Sequence, residues 1–168
     1  SLMKHIIIIG GSKGIGNALL TNLLPNYKVV NISRTAPEQE HSNLTHFSCD
    51  VLKDELPEIS SADALVYCPG SINLKPISRL SLEDFREDFE INVLGAVKAI
   101  QKYLPVIKNG TNPSIVLFST VAAKLGMPFH ASIATAKSGV EGLVKSLGAE
   151  LAPTVRINAI APTVTNTE

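Results

Sequence analysis

Three groups of residues in this chain could do chemistry. The first is GGSKGIG, residues 10–16, in which Gly10, Gly14 and Gly16 follow a G-x-x-x-G-x-G spacing. Backbone without β-carbons lets a diphosphate approach the amides at a helix N-terminus, and this stretch closes an apolar run and opens a helical one, the context such a turn requires. The second is Ser33 and Arg34, which end the next apolar run. A site specific for NAD places an acid about 20 residues beyond the glycines. None stands at this turn, and a guanidinium matches a phosphate through two parallel hydrogen bonds, so Arg34, helped by Lys13, points to NADP rather than NAD. The third is HASIATAK, residues 130–137, where Lys137 follows Ile133 by four residues on one helical face. His130 precedes Ile133 by three, and an imidazole with a pKa of about 6.5 suits proton transfer at neutral pH.

Strands and helices must position these groups. The runs 5–9, 28–33, 44–49, 64–68, 114–119 and 155–160 are short, rich in β-branched residues and apolar on both faces, as strands of a parallel sheet covered on both sides must be. Between them, 16–24 reads as a helix ended by Pro25, and 81–104 as a helix with an N-cap serine and acids in its first turn. A third helix, 132–151, is ended by Pro153, and 51–60 reads as a short helix or a loop. Asn92 is a poor residue for a helix interior and marks a local kink. The alternation predicts a single α/β domain over 1–168, a Rossmann-type doubly wound parallel sheet in three α/β/α layers. Ligands of such sheets bind beyond the carboxyl ends of the strands, where strand order reverses.

Composition narrows the classes. The chain has 168 residues, 45% hydrophobic and 18% charged, enough for one real core, and its 15 basic and 15 acidic side chains cancel, which argues against a nucleic-acid surface. The run IIIIG is too short to span a bilayer and lacks the cleavage site of a signal peptide. Cys49 and Cys68 form no CxxC pair and read as free thiols of a reducing cytoplasm; no metal is expected, and no His or Lys adjoins Cys68 in the sequence to activate it.

In order and spacing these segments resemble the short-chain dehydrogenase/reductase family. That family's turn reads T-G-x-x-x-G-x-G, with Ile9 here in place of the threonine. CDV (49–51), YCPG (67–70, against N-N-A-G), INVLG (91–95, against N-x-x-G) and VRINAIAPTVTNTE (155–168, against R-V-N-x-x-x-P-G-x-x-x-T) follow in family order. The resemblance implies that Gly10, Ser12, Lys13, Gly14, Ile15 and Gly16 line the cofactor, with Ser33 and Arg34 at its adenosine phosphate and Asp50 and Val51 at adenine. Cys68, Pro69 and Gly70 would flank a ribose, with Pro69 unable to donate the hydrogen bond an alanine amide would. Pro162, Val164, Thr165 and Thr167 would lie near the nicotinamide.

The implied catalytic set is Asn92 in a proton relay, Thr120 in the serine's place, and Lys137, which also holds the nicotinamide ribose. Ile133 stands where the family has its proton-donating tyrosine; His130 ranks first as substitute, ahead of Ser132 or a water chain. The implied activity is NADP(H)-dependent hydride transfer to or from a small carbonyl or alcohol, in a homodimer or homotetramer paired through the helices near 81–104 and 132–151. The alternative class is an NADP(H)-binding sensor or scaffold without turnover. Family members also carry a substrate-covering segment after the last strand, and 1–168 contains none.

Overall fold

The apolar runs do pair, all in parallel. The structure, a computed structural model, describes residues 3–120 and 122–162. In chain order it contains β1 (His5–Ile9), α1 (Gly14–Leu23), β2 (Lys28–Ser33), β3 (Leu44–Ser48), β4 (Ala64–Tyr67), α2 (Leu82–Phe89), a π turn (Glu90–Leu94), α3 (Gly95–Ile107), β5 (Ser114–Phe118), α4 (Ala122–Leu125), α5 (Ala131–Leu151) and β6 (Arg156–Ile160). The six strands form one sheet in the order β3-β2-β1-β4-β5-β6. Order therefore reverses between β1 and β4, and the register sets Ile9 opposite both Ile32 and Tyr67, so three strands end level there.

Burial on both faces holds for the central strands, as β1 shows, and not for the edge strands β3 and β6, whose residues alternate with or stand in solvent. Ile7 and Ile9 belong to the larger core, shared with Ala96, Tyr103 and Val140 of the helices on one face. Ile6 and Ile8 face the opposite way, into the core that Leu20 and Leu24 close. Each isoleucine so buried contributes roughly 1.5–3 kcal/mol, and exposing either face would forfeit it.

Local signals set the ends. Ser81 and Asp84 form a reciprocal cap on α2, the Asp84 amide donating to Ser81 Oγ and the Ser81 amide to Asp84 Oδ2, both at 3.0 Å. The helix foreseen over 81–104 passes through the π turn at the kink Asn92 marks, and it departs from expectation in running through Pro105 to Ile107. Proline there gives up one backbone bond, and the wholly buried Ile107 holds the extra turn in place. Residues 51–60 contain no helix, and α4 has too few residues to show a period.

Candidate active site at the carboxyl ends of the strands

At the phosphate end, Gly10 and Gly14 take φ of +83° and +55°, which side chains rarely tolerate. A β-carbon on Gly14 would meet nothing within 4 Å, so this backbone faces open space. One on Gly16 would strike the Gly10 carbonyl oxygen at 2.1 Å, which fixes α1 hard against the turn. The first turn of α1 carries no acid, leaving its amides a positive edge for an anion. Lys13, Ile15 and Arg34 are exposed around it, and Ser12 accepts a hydrogen bond from Thr35 at 3.2 Å. The Pro69 ring packs over Gly10, 3.0 Å from where its β-carbon would be, while the Cys68 amide still donates to Ile9 O, so the backbone path survives the proline. Asp50 Oδ1 accepts from the Leu52 amide at 2.9 Å and holds its own turn, and Val51 is a core residue; its side chain is buried.

At the other end the structure brings Gly70, Asn92 and Lys137 together. The cause lies in β4. Tyr67 Oη donates to the Ile91 carbonyl at 2.5 Å, and the Gly95 amide reaches back instead to Glu90 O, which is the π bond. Gly95 makes room: a β-carbon there would sit 2.0 Å from the tyrosine oxygen. The wider turn holds Asn92 2% exposed, its Nδ2 donating to Asp88 O and its Oδ1 without a partner among the described residues. That orphan oxygen lies 3.2 Å, and Lys137 Nζ 3.9 Å, from the point a Gly70 β-carbon would occupy.

Lys137 Nζ donates to Phe118 O at the end of β5, at 2.8 Å. Burial lowers its pKa from 10.5 to about 8, opposed by the neighbouring Cys68 thiol. Cys68 itself is pushed from 9.0 to about 12 by burial, against a lowering pull from Lys137. The thiol thus has a lysine neighbour after all: folding supplies what the sequence around Cys68 lacks, and burial still outweighs it.

Ile133 lies one turn before Lys137 on α5 and is buried. Thr120 follows β5 and spends its hydroxyl as an acceptor for the Ala122 amide at 3.3 Å, starting α4, while Ser119 Oγ donates to Glu141. His130 is the residue ahead of α5; its Nδ1 and Pro128 O are 2.7 Å apart. The ring lines a cleft of about 520 Å³ with Lys75, Met127, Phe129 and Ala134, and none of Asn92, Thr120, Ile133 or Lys137 lines that cleft. Pro162 closes the described stretch; Val164, Thr165 and Thr167 lie outside the described residues.

One residue that shapes the site has no signal of its own in the sequence. Asp88, fully buried on α2, accepts from Ser71, from Asn73 Nδ2 at 3.1 Å and from Ser132 Oγ at 2.5 Å. It clamps the segment after β4 to the first turn of α5. An acid within an acidic amphipathic helix gives no hint of this; only its place one turn before Asn92 could have suggested it.

A glycine turn at a strand-order reversal, with an amide-lined helix start and a buried lysine beyond the same strand ends, is the arrangement of a Rossmann-type doubly wound α/β fold. The family profile described as short chain dehydrogenase matches residues 4–168, and the chain belongs to that family. It is 31% identical to a 2,5-dichloro-2,5-cyclohexadiene-1,4-diol dehydrogenase of Sphingobium indicum over 95% of this chain and 71% of that protein. It superposes with a TM-score of 0.85 on ligand-free aldohexose dehydrogenase of Thermoplasma acidophilum, at 28% identity, over 95% of this chain and 66% of the other. ElxO with NADP bound shares the fold, with a TM-score of 0.86 at 24% identity over 96% of this chain and 73% of that one.

Proposed function

We propose that the chain binds NADP(H) and catalyses hydride transfer between its nicotinamide and a small carbonyl or alcohol. The single observation that carries the reading is the buried, unpartnered Asn92 Oδ1, aimed across Gly70 into the gap that Lys137 Nζ also borders. A buried acceptor without a donor is costly, and a site for a bound group or water explains it. The glycine turn and the start of α1 would hold the diphosphate, Arg34 with Lys13 and Ser33 the adenosine phosphate, and Asp50 with Val51 the adenine side. Cys68, Pro69, Gly70 and Lys137 would flank the nicotinamide ribose, with Pro162, Val164, Thr165 and Thr167 at the ring. When bound, the cofactor supplies the hydride.

The chain's own residues then have to handle a proton. Ile133 takes the place of the family's tyrosine and contributes only an apolar wall. Lys137, with its pKa lowered to about 8, holds and releases a proton near neutral pH, the range a general acid needs. A water held by Asn92 Oδ1 would stand beside the gap that the ammonium borders, and Thr120 would offer its hydroxyl hydrogen to a substrate oxygen. His130, the substitute the sequence favours, faces the separate cleft and would act from there only on a substrate that spans both. The same reading includes self-association through the helices near 81–104 and 132–151. A sensor or scaffold without turnover is not favoured, because named relatives are dehydrogenases.

The test pairs calorimetry with turnover. NADPH should bind more tightly than NADH, and Arg34→Ala should remove most of the difference. NADPH oxidation with a panel of ketones should be detectable, should fall about 10²-fold or more in Lys137→Met, and should persist in His130→Ala. Ile133→Tyr should raise the rate. Well-folded protein that binds neither nucleotide would overturn the reading.

A further inference from the structure

The adenosine side of the turn is held by a polar network whose only titratable member is His46. Asn31 is fully buried in β2. Its Oδ1 accepts from the Gly11 amide at 2.9 Å, and a β-carbon on Gly11 would lie 2.4 Å from that oxygen, so turn and side chain are fitted to each other. An amide N–H can point only at an acceptor, and this fixes which way the Asn31 carboxamide faces. Both hydrogens of Nδ2 are then committed, one to Ser33 Oγ at 2.9 Å and one towards His46 Nδ1 at 3.0 Å. His46 Nδ1 must therefore be the acceptor, which puts the ring proton on Nε2, 3.2 Å from Ser48 Oγ. Ser33, having accepted from Asn31, gives its own hydrogen to Thr35 O at 2.6 Å, and Thr35 Oγ1 donates to Ser12. The network links the glycine turn, through Gly11 and Ser12, to the residues on either side of Arg34.

We infer that Asn31 and His46 are positioning residues for the nucleotide, and that binding at the adenosine end is tightest when His46 is neutral. The inference rests on the reading that the glycine turn holds a nicotinamide dinucleotide. A second proton on the imidazole goes to Nδ1 and turns it into a donor facing the Asn31 donor. The carboxamide cannot rotate to accept it without leaving the Gly11 amide facing a second donor. Protonation thus removes one of the three bonds that hold Asn31, and with it the set of Gly11 and Ser33.

Few charges compete. β3 is an edge strand, and its neighbour β2 presents Val29, Asn31 and Ser33 on the side of His46, with Lys28 on the alternate side. α1 carries no titratable residue. Lys13 ahead of α1, Tyr27 after it, Arg34, Glu38, Glu40 and His41 in the connection to β3, and Asp50 just beyond β3 are the charged or titratable groups of the segments around that face, and none hydrogen-bonds or ion-pairs with the ring among the described residues. An imidazolium near an anionic nucleotide would on charge alone tighten binding at low pH. Loss of the Asn31–His46 hydrogen bond acts with the opposite sign.

The experiment reads that sign. Dissociation constants for NADPH are measured by fluorescence at about pH 8 and about pH 6, across the range in which histidines titrate, for the wild type and His46→Gln. The ratio between the two proteins cancels titration of the nucleotide's own phosphate. Binding to the wild type should weaken roughly three- to tenfold more than binding to the variant, the size of one lost hydrogen bond. A constant or inverted ratio overturns the inference. In parallel, nitrogen NMR of the nucleotide-free wild type should show the Nε2–H tautomer of His46, with the Gly11 amide shifting at the same midpoint. A Gly11 amide that ignores His46 overturns it too. If neither NADPH nor NADH binds at about pH 8, the cofactor reading fails and takes the binding consequence with it, while the NMR arm still decides whether His46 governs the turn.

Discussion

Lys137 carries a charge where burial disfavours one, and that has a consequence for stability. Its pKa is lowered from 10.5 to about 8 in the folded chain, chiefly by desolvation. Between those values the unfolded chain binds more protons than the folded one, so stability rises with pH; below about pH 8 both states are protonated and the full cost of the buried ammonium is present. Cys68 works the other way from its ordinary 9.0 upward, because the folded thiol keeps its proton to about 12. Urea unfolding of the wild type and Lys137→Met separates the two. The wild type should gain about 1 kcal/mol on the variant between pH 8 and pH 9, and the variant should be the more stable protein near neutrality. No change in that difference would mean the ammonium is well solvated. The lysine itself was marked by the family resemblance of the run around it, since a lysine one turn after an isoleucine signals nothing alone. Its environment was not: Cys68 follows β4 and Phe118 ends β5, and no local pattern reports a long-range contact.

The π turn is the element that sets Asn92, and its origin is a residue far away in sequence. Asn92 in a helical run signalled a kink, but nothing near it signalled that Tyr67 would take the Ile91 carbonyl or that Gly95 would make room. Helix propensity alone says that Gly95→Ala should stabilise α3 by about 1 kcal/mol. The structure demands the reverse sign, because the added carbon would meet Tyr67 Oη at 2.0 Å. Tyr67→Phe should cost about 1–3 kcal/mol by leaving that carbonyl unbonded. The double variant should lose less than the sum, since the phenylalanine no longer presents the oxygen that clashes. A chemical-denaturation cycle over the four proteins measures this coupling. A stabilised Gly95→Ala would show that the tyrosine does not hold the turn. The strands, by contrast, were readable almost to the residue: burial on both faces marks the central ones, while the edge strands β3 and β6 were marked by β-branched content and their place in the alternation.

Across the whole molecule, the alternation of short strand runs with helical ones identified the fold without any tertiary information. What composition could not show is where apolar surface is left over. Leu82 and Phe89, two turns apart on α2, are 73% and 44% exposed, and Leu94, one π turn later, is 48% exposed. These three sit on the helix that the family resemblance assigns to subunit pairing. Water-exposed apolar side chains concentrated on one helix are more economically explained by a partner than by solvent, and a symmetric pairing would set the same helix against itself. Light scattering should therefore return an integral multiple, two or more, of the 17.9 kDa chain mass. Phe89→Glu combined with Leu94→Glu should lower the mass towards one chain while circular dichroism keeps its helical signal, since both side chains are already half in solvent. A wild-type mass of one chain at concentrations well above those of ordinary assays would refute pairing and leave these residues as plain surface. A wild-type oligomer that the double variant leaves intact would move the interface elsewhere, towards Ile77, Leu125 and Phe129, whose exposures of 70%, 75% and 57% make a second apolar area around the His130 cleft.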